Sequence, residues 1–416
     1  MTLAGWQRCK LGDVLEVKHG YAFKGEYFAD SGTHVVLTPG NFIDTGGFKS
    51  KGAGEKWYRG PIPDDYVLRE GDLLVAMTEQ AEGLLGSSAM VPEGGLYLHN
   101  QRLGLVEVRD ESRADKRFLY YLFNSKPVRA KIRATATGAK VRHTAPSRIA
   151  EVAVDLPPLL VQRRVAGILS AYDELIEIDQ GRIRILVEMV RSRYREWFMA
   201  FHLPATSASR ISSGIGAALG DWEGRFGDLV SIERVGVTPA QCPDEEFEHF
   251  SIPAFDDGRN PAVELGASIL SGKYRVDASC LLLSKLNPHI ARAWLPRPTG
   301  LRRAVASTEF LVLKPKNGAT REFVYAMCTS TEFADQFATL AIGTSTSHQR
   351  VKPDDLLRMA TIVPDAPTMR RFASVVRPML ELSDWLRMRS ANLNRTRDLL
   401  LPRLLSGEIK VGEEAA

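Results

Sequence analysis

Two segments of the chain combine the residue types that proteins use to bind DNA. They are residues 137–148 (TGAKVRHTAPSR) and residues 343–352 (GTSTSHQRVK), and each contains a glycine, small hydroxyl residues, a histidine and cations. Arginine can donate two hydrogen bonds to guanine, glutamine can pair with adenine, and serine, threonine and lysine can hold phosphates. A solvated loop is the alternative for either segment alone, but their matching places in two repeats favour DNA contact. The candidate contacts are Lys140, Arg142, His143, Ser147 and Arg148 in the first segment, and Thr346, Ser347, His348, Gln349, Arg350 and Lys352 in the second.

A second pair of polar positions lies just before predicted strands. Gln101 and Arg102 occupy this place in the first half of the chain, and Arg302 and Arg303 occupy it in the second. These four are also candidate DNA contacts, although ordinary charges at strand ends are the favoured alternative. The aromatic and basic residues at 18–28 could line the same surface or belong to a core, and the sequence leaves both open.

The sequence offers little for a catalytic site. It has no GxxxxGK[ST] phosphate loop, and the nearest string to an amino-methyltransferase tetrad, Asn287-Pro288-His289-Ile290, lacks the second proline and the aromatic residue. The Pro-Asp pairs at 353 and 364 are not followed closely by the acid-x-lysine of a nuclease. The eight histidines and four cysteines show no metal-ligand spacing. We therefore expect no catalytic residue and no metal in this chain.

Two long helices are predicted. No proline interrupts the chain between Pro158 and Pro204, and alternating steps of four and three from Val165 to Trp197 meet apolar residues except at Asp179 and Arg193. This is the seam pattern of a coiled coil, and a weaker copy follows Pro367. The seam positions are Leu169, Tyr172, Ile176, Ile183, Leu186, Val190 and Trp197 in the first helix, and Val376, Leu386, Leu393 and Leu400 in the second.

The polar seam positions have two interpretations. Asp179 could set the register against Arg397, Ser383 and Ser390 of the second helix, since polar groups in such seams fix alignment at some cost in stability. It could equally face solvent where the helices diverge. The sequence does not decide between these alternatives.

The globular regions also repeat. Residues 6–15 (WQRCKLGDVL) return as residues 222–230 (WEGRFGDLV), and RFLYYLFNS at residue 117 returns as EFVYAMCTS at residue 322. The chain is therefore predicted to be a tandem duplication of an α/β (α+β) domain followed by a long helix, with the two helices antiparallel about an approximate two-fold axis. Strands are expected at 14–17, 34–37, 72–77, 87–91, 104–108 and 149–156, and a helix at 115–124. The predicted divisions are 1–156 for the first domain, 157–201 for the first helix, 202–220 for a Ser/Ala/Gly-rich linker, 221–366 for the second domain, 367–408 for the second helix and 409–416 for a tail.

Composition sets broad limits on this organisation. A chain of 416 residues is long enough for two cores, and its net charge of +4 means that any basic surface must be local. Cysteines without CxxC spacing fit a reducing compartment. No apolar run approaches the ~20 residues that span a bilayer, so a cytoplasmic protein that does not enter membranes is expected.

Three strings resemble one known family. LPPLLVQRRVAGILSAYDELIEI at Leu156, LLLPRLLSGEI at Leu399 and WQRCKLGDV at Trp6 are similar to the specificity subunits of Type I restriction-modification systems. The likeness covers nearly the whole chain, in the order recognition domain, conserved helix, recognition domain, conserved helix. The second repeat departs from the pattern, because PDAPTM at residue 364 replaces the usual double proline and glutamine.

The resemblance implies a non-catalytic subunit that binds double-stranded DNA. Each domain would contact one half of a split, asymmetric site, and the helix pair would set the spacer and dock two modification subunits. Those partners would carry S-adenosylmethionine and methylate adenine, so no cofactor is expected in this chain, and two translocase/nuclease subunits would join for restriction. The outer arginines Arg163, Arg164, Arg182 and Arg184 are candidate partner contacts on this resemblance. The competing hypotheses are a stand-alone DNA methyltransferase or nuclease, and a coiled-coil adaptor that does not contact DNA.

Overall fold

The computed structural model describes residues 5–80, 83–200, 222–342 and 349–411. The predicted linker at 202–220 lies outside these ranges, as does the tail beyond residue 411. The chain forms two compact units, one of residues 1–174 with 394–416 and one of residues 175–393. Each long helix contributes to both units, so the units are not consecutive in sequence.

The first unit is built around a four-stranded antiparallel sheet in the order Leu15–His19, Leu103–Val108, Leu73–Ala76, Ser88–Met90. All four residues of the Leu73–Ala76 strand are buried. Since successive side chains point to opposite faces of a strand, both faces of this strand are covered. Leu73 and Val75 enter the core that contains the Lys116–Asn124 helix, whereas Leu74 and Ala76 enter a second core beneath a small sheet. The small sheet comprises Phe28–Ala29, Trp57–Tyr58, His34–Val36 and Tyr97–Leu98, and the remaining elements are the strands Gln7–Lys10, Thr78–Glu79, Arg142–His143 and Ala153–Leu156 and the helices Lys126–Ala134 and Pro146–Ala150.

The second unit repeats this design. Its four-stranded sheet has the order Val230–Glu233, Phe310–Pro315, Leu281–Ser284, Ala293–Trp294, which matches the first sheet strand for strand. The tandem duplication predicted from the sequence is thereby confirmed. A five-stranded sheet of Gly236–Val237, Lys273–Arg275, Arg303–Ser307, Glu246–Phe250 and Ala262–Leu265 replaces the small sheet, and the remaining elements are the strands Glu223–Arg225, Ala341–Ile342, Arg350–Val351 and Ala360–Ile362 and the helices Phe226–Leu229, Ile252–Asp256, Arg321–Cys328, Thr331–Thr339 and Pro353–Arg358.

The expected strand at 149–156 is wrong in its first half. Residues Pro146–Ala150 form a short helix, and only Ala153–Leu156 is extended, where it pairs with Gln7–Lys10. Proline is favoured in the first turn of a helix because its fixed φ suits the helix and its missing N–H would have no partner there. Pro146 therefore starts a helix that the alternating pattern of the sequence concealed.

A buried glutamine joins the first long helix, Leu159–Tyr194, to the first domain. Gln162 is fully buried, and its amide donates to the carbonyl oxygens of Arg113 at 2.7 Å and Pro157 at 2.8 Å. Its side-chain oxygen accepts from the N–H of Asp115 at 3.0 Å, and Asp115 in turn caps the Lys116–Asn124 helix. The Pro-Pro-x-x-x-Gln string thus holds helix and domain together within this chain.

The second long helix, Ala366–Leu405, begins differently. The Asp365 carboxylate accepts from the N–H and hydroxyl of Thr368, both at 2.8 Å, and so caps the first turn. Met369 occupies the place of the glutamine and is 1% exposed, so apolar packing replaces the hydrogen-bonded attachment. The departure of PDAPTM from the pattern of the first repeat is therefore a change in how the helix starts and packs.

The two long helices pack antiparallel within each unit, as predicted. In the first unit Val165 and Leu169 share a core with Leu404, and Asp173 meets Arg397 at 2.5 Å. In the second unit Asp179 binds Arg389, and the rings of Trp197 and Phe372 lie 5.6 Å apart. Every other predicted seam residue is at least partly buried.

The exception is Arg193, whose assignment to the seam is wrong. Its side chain is 48% exposed and pairs with Glu196 at 2.7 Å, while the neighbouring Tyr194 is 2% exposed. The first helix ends in a π-helical turn, Arg195–Met199. Such a turn has more residues per turn than an α-helix, so a strict count of fours and threes fails near it.

Candidate nucleic-acid interface and helix face

A tight hairpin presents the first group of candidate DNA contacts. Thr137 and His143 exchange both backbone hydrogen bonds at 2.9 Å, so residues 138–142 form the tip. Gly138 has φ +102°, and a Cβ there would lie 2.1 Å from the carbonyl oxygen of Val141. The glycine is therefore required by this turn, and Lys140 is carried exposed at its tip.

Met77 brings two groups of candidates together. Its N–H donates to the carbonyl oxygen of Arg102 at 3.0 Å, and its own carbonyl accepts from the N–H of Thr144 at 2.9 Å. The turn at Gln101 and Arg102 therefore lies one strand away from the hairpin, although the two are about forty residues apart in sequence. Both turn residues are exposed, and the N–H of Arg102 is held by Asn100 Oδ1 at 3.0 Å.

The arginines of this group are anchored by carbonyl oxygens. Arg142 Nη2 donates to the carbonyl of Arg133 at 3.3 Å, and Arg148 Nη1 donates to the carbonyl of Thr135 at 3.0 Å. A carbonyl positions a guanidinium without neutralising it, so both positive charges remain available to phosphates. His143 and Ser147 are exposed beside them. The first unit thus presents a local basic surface despite the low net charge of the chain.

We expect Arg142→Ala and Arg148→Ala each to weaken DNA binding by about 1–3 kcal/mol and to lower the slope of log affinity against log salt by about 1 for every phosphate that the variant no longer binds. The resemblance implies one half-site for each unit, so only the half-site of the first unit should be affected. A salt titration of duplex binding measures this, with Arg109→Ala as control. Arg109 is 57% exposed and follows the far end of the Leu103–Val108 strand, so unchanged binding is expected there. Equally weakened binding in the control and the test variants would contradict the assignment.

The second unit builds the same framework with different charges. Lys285 N–H donates to the carbonyl of Glu309 at 3.0 Å, and its carbonyl accepts from the N–H of Val351 at 3.0 Å. Arg350 donates to the Glu309 carboxylate at 3.0–3.3 Å, and this hydrogen bond raises the pKa of the guanidinium. The main-chain carbonyl of Gln349 accepts from the N–H of Asn287. Lys352 is exposed at the start of the Pro353–Arg358 helix. Thr346, Ser347 and His348 lie outside the described residues.

The pairing of Arg302 and Arg303 with Gln101 and Arg102 is wrong. Arg303 starts the strand of the five-stranded sheet that precedes Phe310–Pro315, the counterpart of Leu103–Val108. Arg302 and Arg303 bind Glu246 at 2.7 Å and Glu245 at 3.2 Å, so their charges are compensated. The true counterpart of Arg102 is Glu309, a residue of opposite charge.

Ionic contacts join the two long helices to each other in both units, and in the first unit also to the Lys116–Asn124 helix. In the first unit Asp173 accepts from Tyr121 at 2.6 Å and from Arg397 at 2.5 Å. Burial and the nearby Asp173 carboxylate raise the pKa of Tyr121, so the phenol stays protonated and donates. In the second unit the fully buried Asp179 binds Arg389. Of the two interpretations of Asp179, the structure shows the buried position between the helices, and the ion-pair partner is Arg389, which lies outside the predicted seam.

In the second unit the outer surface of the long helices carries large apolar side chains as well as arginines. The predicted partner contacts Arg163, Arg182 and Arg184 are exposed and Arg164 is half-buried. A second stripe of large apolar side chains lies outside the seam, with Ile185 at 62% and Trp385 at 53% exposed. Its spacing of three and four residues could have been found in the sequence. The stripe comprises Leu175, Ile178, Ile185 and Met189 on the first helix, and Val375, Leu382, Trp385 and Met388 on the second.

Two further observations concern cofactors and membranes. Within the described ranges, no three His, Cys, Asp or Glu side chains come together as a metal site would require. The four cysteines are all free thiols. In the part of the chain that the structure describes, every helix is too short or too polar to cross a bilayer.

The similarity to known proteins agrees with this arrangement. Residues 4–189 match the family described as the Type I restriction modification DNA specificity domain. The Type I restriction enzyme MjaIX specificity subunit of Methanocaldococcus jannaschii is 22% identical over 310 residues, which cover 71% of this chain and 69% of that protein. The EcoBI specificity subunit of Escherichia coli is 26% identical over 196 residues, which cover 47% of this chain and 38% of that protein.

A solved structure extends the likeness in fold. The crystal structure of the Type I restriction-modification S subunit from M. genitalium aligns with a TM-score of 0.61 and 14% identity over 96% of both chains. The resemblance of the chain to Type I specificity subunits is confirmed by these matches.

Proposed function

We propose that this chain is the DNA-recognition subunit of a Type I restriction-modification complex and has no catalytic activity of its own. Each of its two repeated domains binds one half of a bipartite, asymmetric site on double-stranded DNA. The observation that carries the proposal is an arrangement of backbone hydrogen bonds that occurs in both units. The residue after a buried strand, Met77 or Lys285, donates to the turn before the neighbouring strand and accepts from the hairpin. In both units it places candidate cations at one edge of the four-stranded sheet.

The helix pair sets the spacer between the half-sites and docks two modification subunits. This role is supported by the ion pairs Asp173–Arg397 and Asp179–Arg389, which fix the alignment of the helices in each unit. Docking is supported by the exposed apolar side chains on each long helix in the second unit, because groups of exposed large apolar residues often mark the surfaces where partners bind. S-adenosylmethionine is bound by those partners, and two translocase/nuclease subunits join for restriction. DNA as the ligand and free thiols agree with a cytoplasmic location.

Selection from a randomised duplex library by the full chain, assembled with its modification subunits, tests the proposal. We expect two short conserved sequences separated by a spacer of fixed length. Arg142→Ala should relax the first half and Arg350→Ala the second, each without changing the other. Uniform affinity for all duplexes, or none, would favour an adaptor. Methylation or cleavage of DNA by the isolated chain would favour a stand-alone enzyme.

A further inference from the structure

Two equivalent positions, one in the turn before a sheet strand and one in the hairpin, carry different charges in the two units. Asn100 Oδ1 accepts from the N–H of Arg102 at 3.0 Å, and Ser307 Oγ accepts from the N–H of Glu309 at 3.3 Å. The turns also continue identically, since the carbonyls of Arg102 and Glu309 accept from the N–H groups of Met77 and Lys285, each the first residue after a buried strand. Arg102 and Glu309 are therefore equivalent positions in one framework.

The hairpins match in the same way. Thr144 and Val351 donate to the carbonyls of Met77 and Lys285, so the residues just before them, His143 and Arg350, are equivalent. The first unit thus carries Arg102 with His143, and the second carries Glu309 with Arg350. The Glu309 carboxylate is unexpected on a surface that faces phosphates, because a carboxylate repels them.

The contact between Glu309 and Arg350 has a specific geometry. The carboxylate accepts from Nε at 3.1 Å and 3.3 Å and from Nη2 at 3.0 Å, so it covers one side of the guanidinium. A guanidinium has five N–H groups in a fixed plane. Among the residues that the structure describes, Glu309 occupies Nε and one N–H of Nη2, and the end formed by Nη1 and the second N–H of Nη2 faces no other partner. Two parallel donors at that end match the O6 and N7 acceptors of guanine.

We propose that Glu309 is a specificity-determining residue that holds Arg350 in the orientation needed to bind a guanine in the half-site of the second unit. The pair is partly exposed, with Glu309 at 26% and Arg350 at 46%, so it adds little to the stability of the fold. Its consequence is pre-organisation, since a long side chain fixed before binding loses less freedom on binding. This inference rests on the proposed function, because it assumes that the second unit binds DNA.

The charge of Glu309 gives the proposal a distinctive signature. Glu309→Gln removes a negative charge near phosphates, so the affinity for unrelated duplex DNA at low salt should stay the same or rise. The preference for guanine at one position should nevertheless fall, by about three- to tenfold, because Arg350 is no longer held. A variant that merely loosened the fold would lower both quantities together.

The test uses the full chain assembled with its modification subunits and measures base preference at every position of a randomised duplex. Arg350→Ala should remove the preference for one guanine, by about ten- to a hundredfold, and thereby identify the position. Arg350→Lys should do nearly the same while keeping the salt dependence, because lysine keeps the charge but lacks the planar fork. Glu309→Gln and Glu309→Ala should weaken the preference at that same position and leave the other half-site unchanged.

Asp277→Asn is the matched control, since it also removes a partly exposed carboxylate paired with a cation, Lys314 at 2.6 Å, in the same unit. It should leave base preference unchanged. The inference is overturned if Glu309→Gln retains the full guanine preference, or if the base that Arg350→Ala ceases to prefer is not guanine. If the wild-type complex shows no preference in either half-site, the proposed function itself fails. Melting temperatures of the variants distinguish loss of folding from loss of recognition.

Discussion

A four-residue insertion in both long helices is expected to lengthen the DNA spacer by one to two base pairs. The insertions are placed between Asp173 and Asp179 in the first helix and between Arg389 and Arg397 in the second, so both ion pairs are retained. Four residues add about 6 Å and about 40° of rotation to an α-helix. One base-pair step of B-DNA covers about 3.4 Å and about 34°. The added length corresponds to about two steps and the added rotation to about one.

The spacer is measured by library selection or by mapping methylated sites. The two half-site sequences should remain as they were, because no residue of either interface is altered. A single insertion in only one helix is the control, since it misaligns Asp173–Arg397 against Asp179–Arg389 and should reduce assembly instead of shifting the spacer. An unchanged spacer in a well-folded double-insertion variant would show that the helix pair does not set the separation.

Replacement of Trp385 by aspartate should abolish assembly with the modification subunits. The indole is 53% exposed in a stripe of apolar side chains, and Arg389 lies 5.0 Å from its ring. Aromatic residues at the centres of interfaces commonly contribute about 2 kcal/mol or more, which is about thirtyfold or more in Kd. An aspartate there also carries a charge that must lose its hydration when a partner covers it, which adds a further penalty. Ile185→Asp should behave similarly, because Ile185 is the most exposed stripe residue on the first helix.

The experiment also separates the apolar stripe from the arginines predicted as partner contacts. Co-purification of the chain with its modification subunits is measured for Trp385→Asp, Ile185→Asp and the double variant of Arg182 and Arg184 to alanine. Since both aspartate substitutions are at exposed positions, the melting temperature of the chain should change little. Loss of assembly only in the arginine variant would assign docking to charge. Normal assembly in the two aspartate variants would contradict the role of the stripe.

The repeat and the helix pair were predictable because they depend on pattern. Apolar side chains recur with periods of two in strands and three to four in helices, and these periods survive in the second copy after individual residues have changed. The buried positions Leu169, Ile176, Val376 and Leu386 follow that rule. Trp6 and Trp222, with the strings that follow them, marked the start of both domains.

The candidate DNA interface was less predictable, for two physical reasons. First, likeness of charge pairs Arg302 and Arg303 with Gln101 and Arg102, whereas backbone hydrogen bonds make Glu309 the position equivalent to Arg102. Second, ion pairing is invisible in one sequence. Arg142 and Arg148 are held by carbonyl oxygens, which carry no net charge, whereas Arg350 and Arg303 are paired with carboxylates more than forty residues away in the sequence.

The heptad pattern fails to describe the first long helix in two places, near its end and on its outer face. It placed Arg193 in the seam because a strict alternation cannot allow for the π-helical turn at Arg195–Met199. A count along one seam also says nothing about the other faces of the helices. The exposed residues Ile178, Ile185 and Met189 form a second stripe at the same helical spacing.

The central claim is that this chain selects a bipartite DNA site for adenine methylation. The most direct measurement is to sequence the genome of the host with detection of modified bases, in the presence and absence of this chain. We expect one split motif whose methylated adenines disappear on deletion and return with the wild-type chain. With Arg350→Ala, methylation should return with a relaxed second half. A pattern of methylation that is the same with and without the chain would contradict the account.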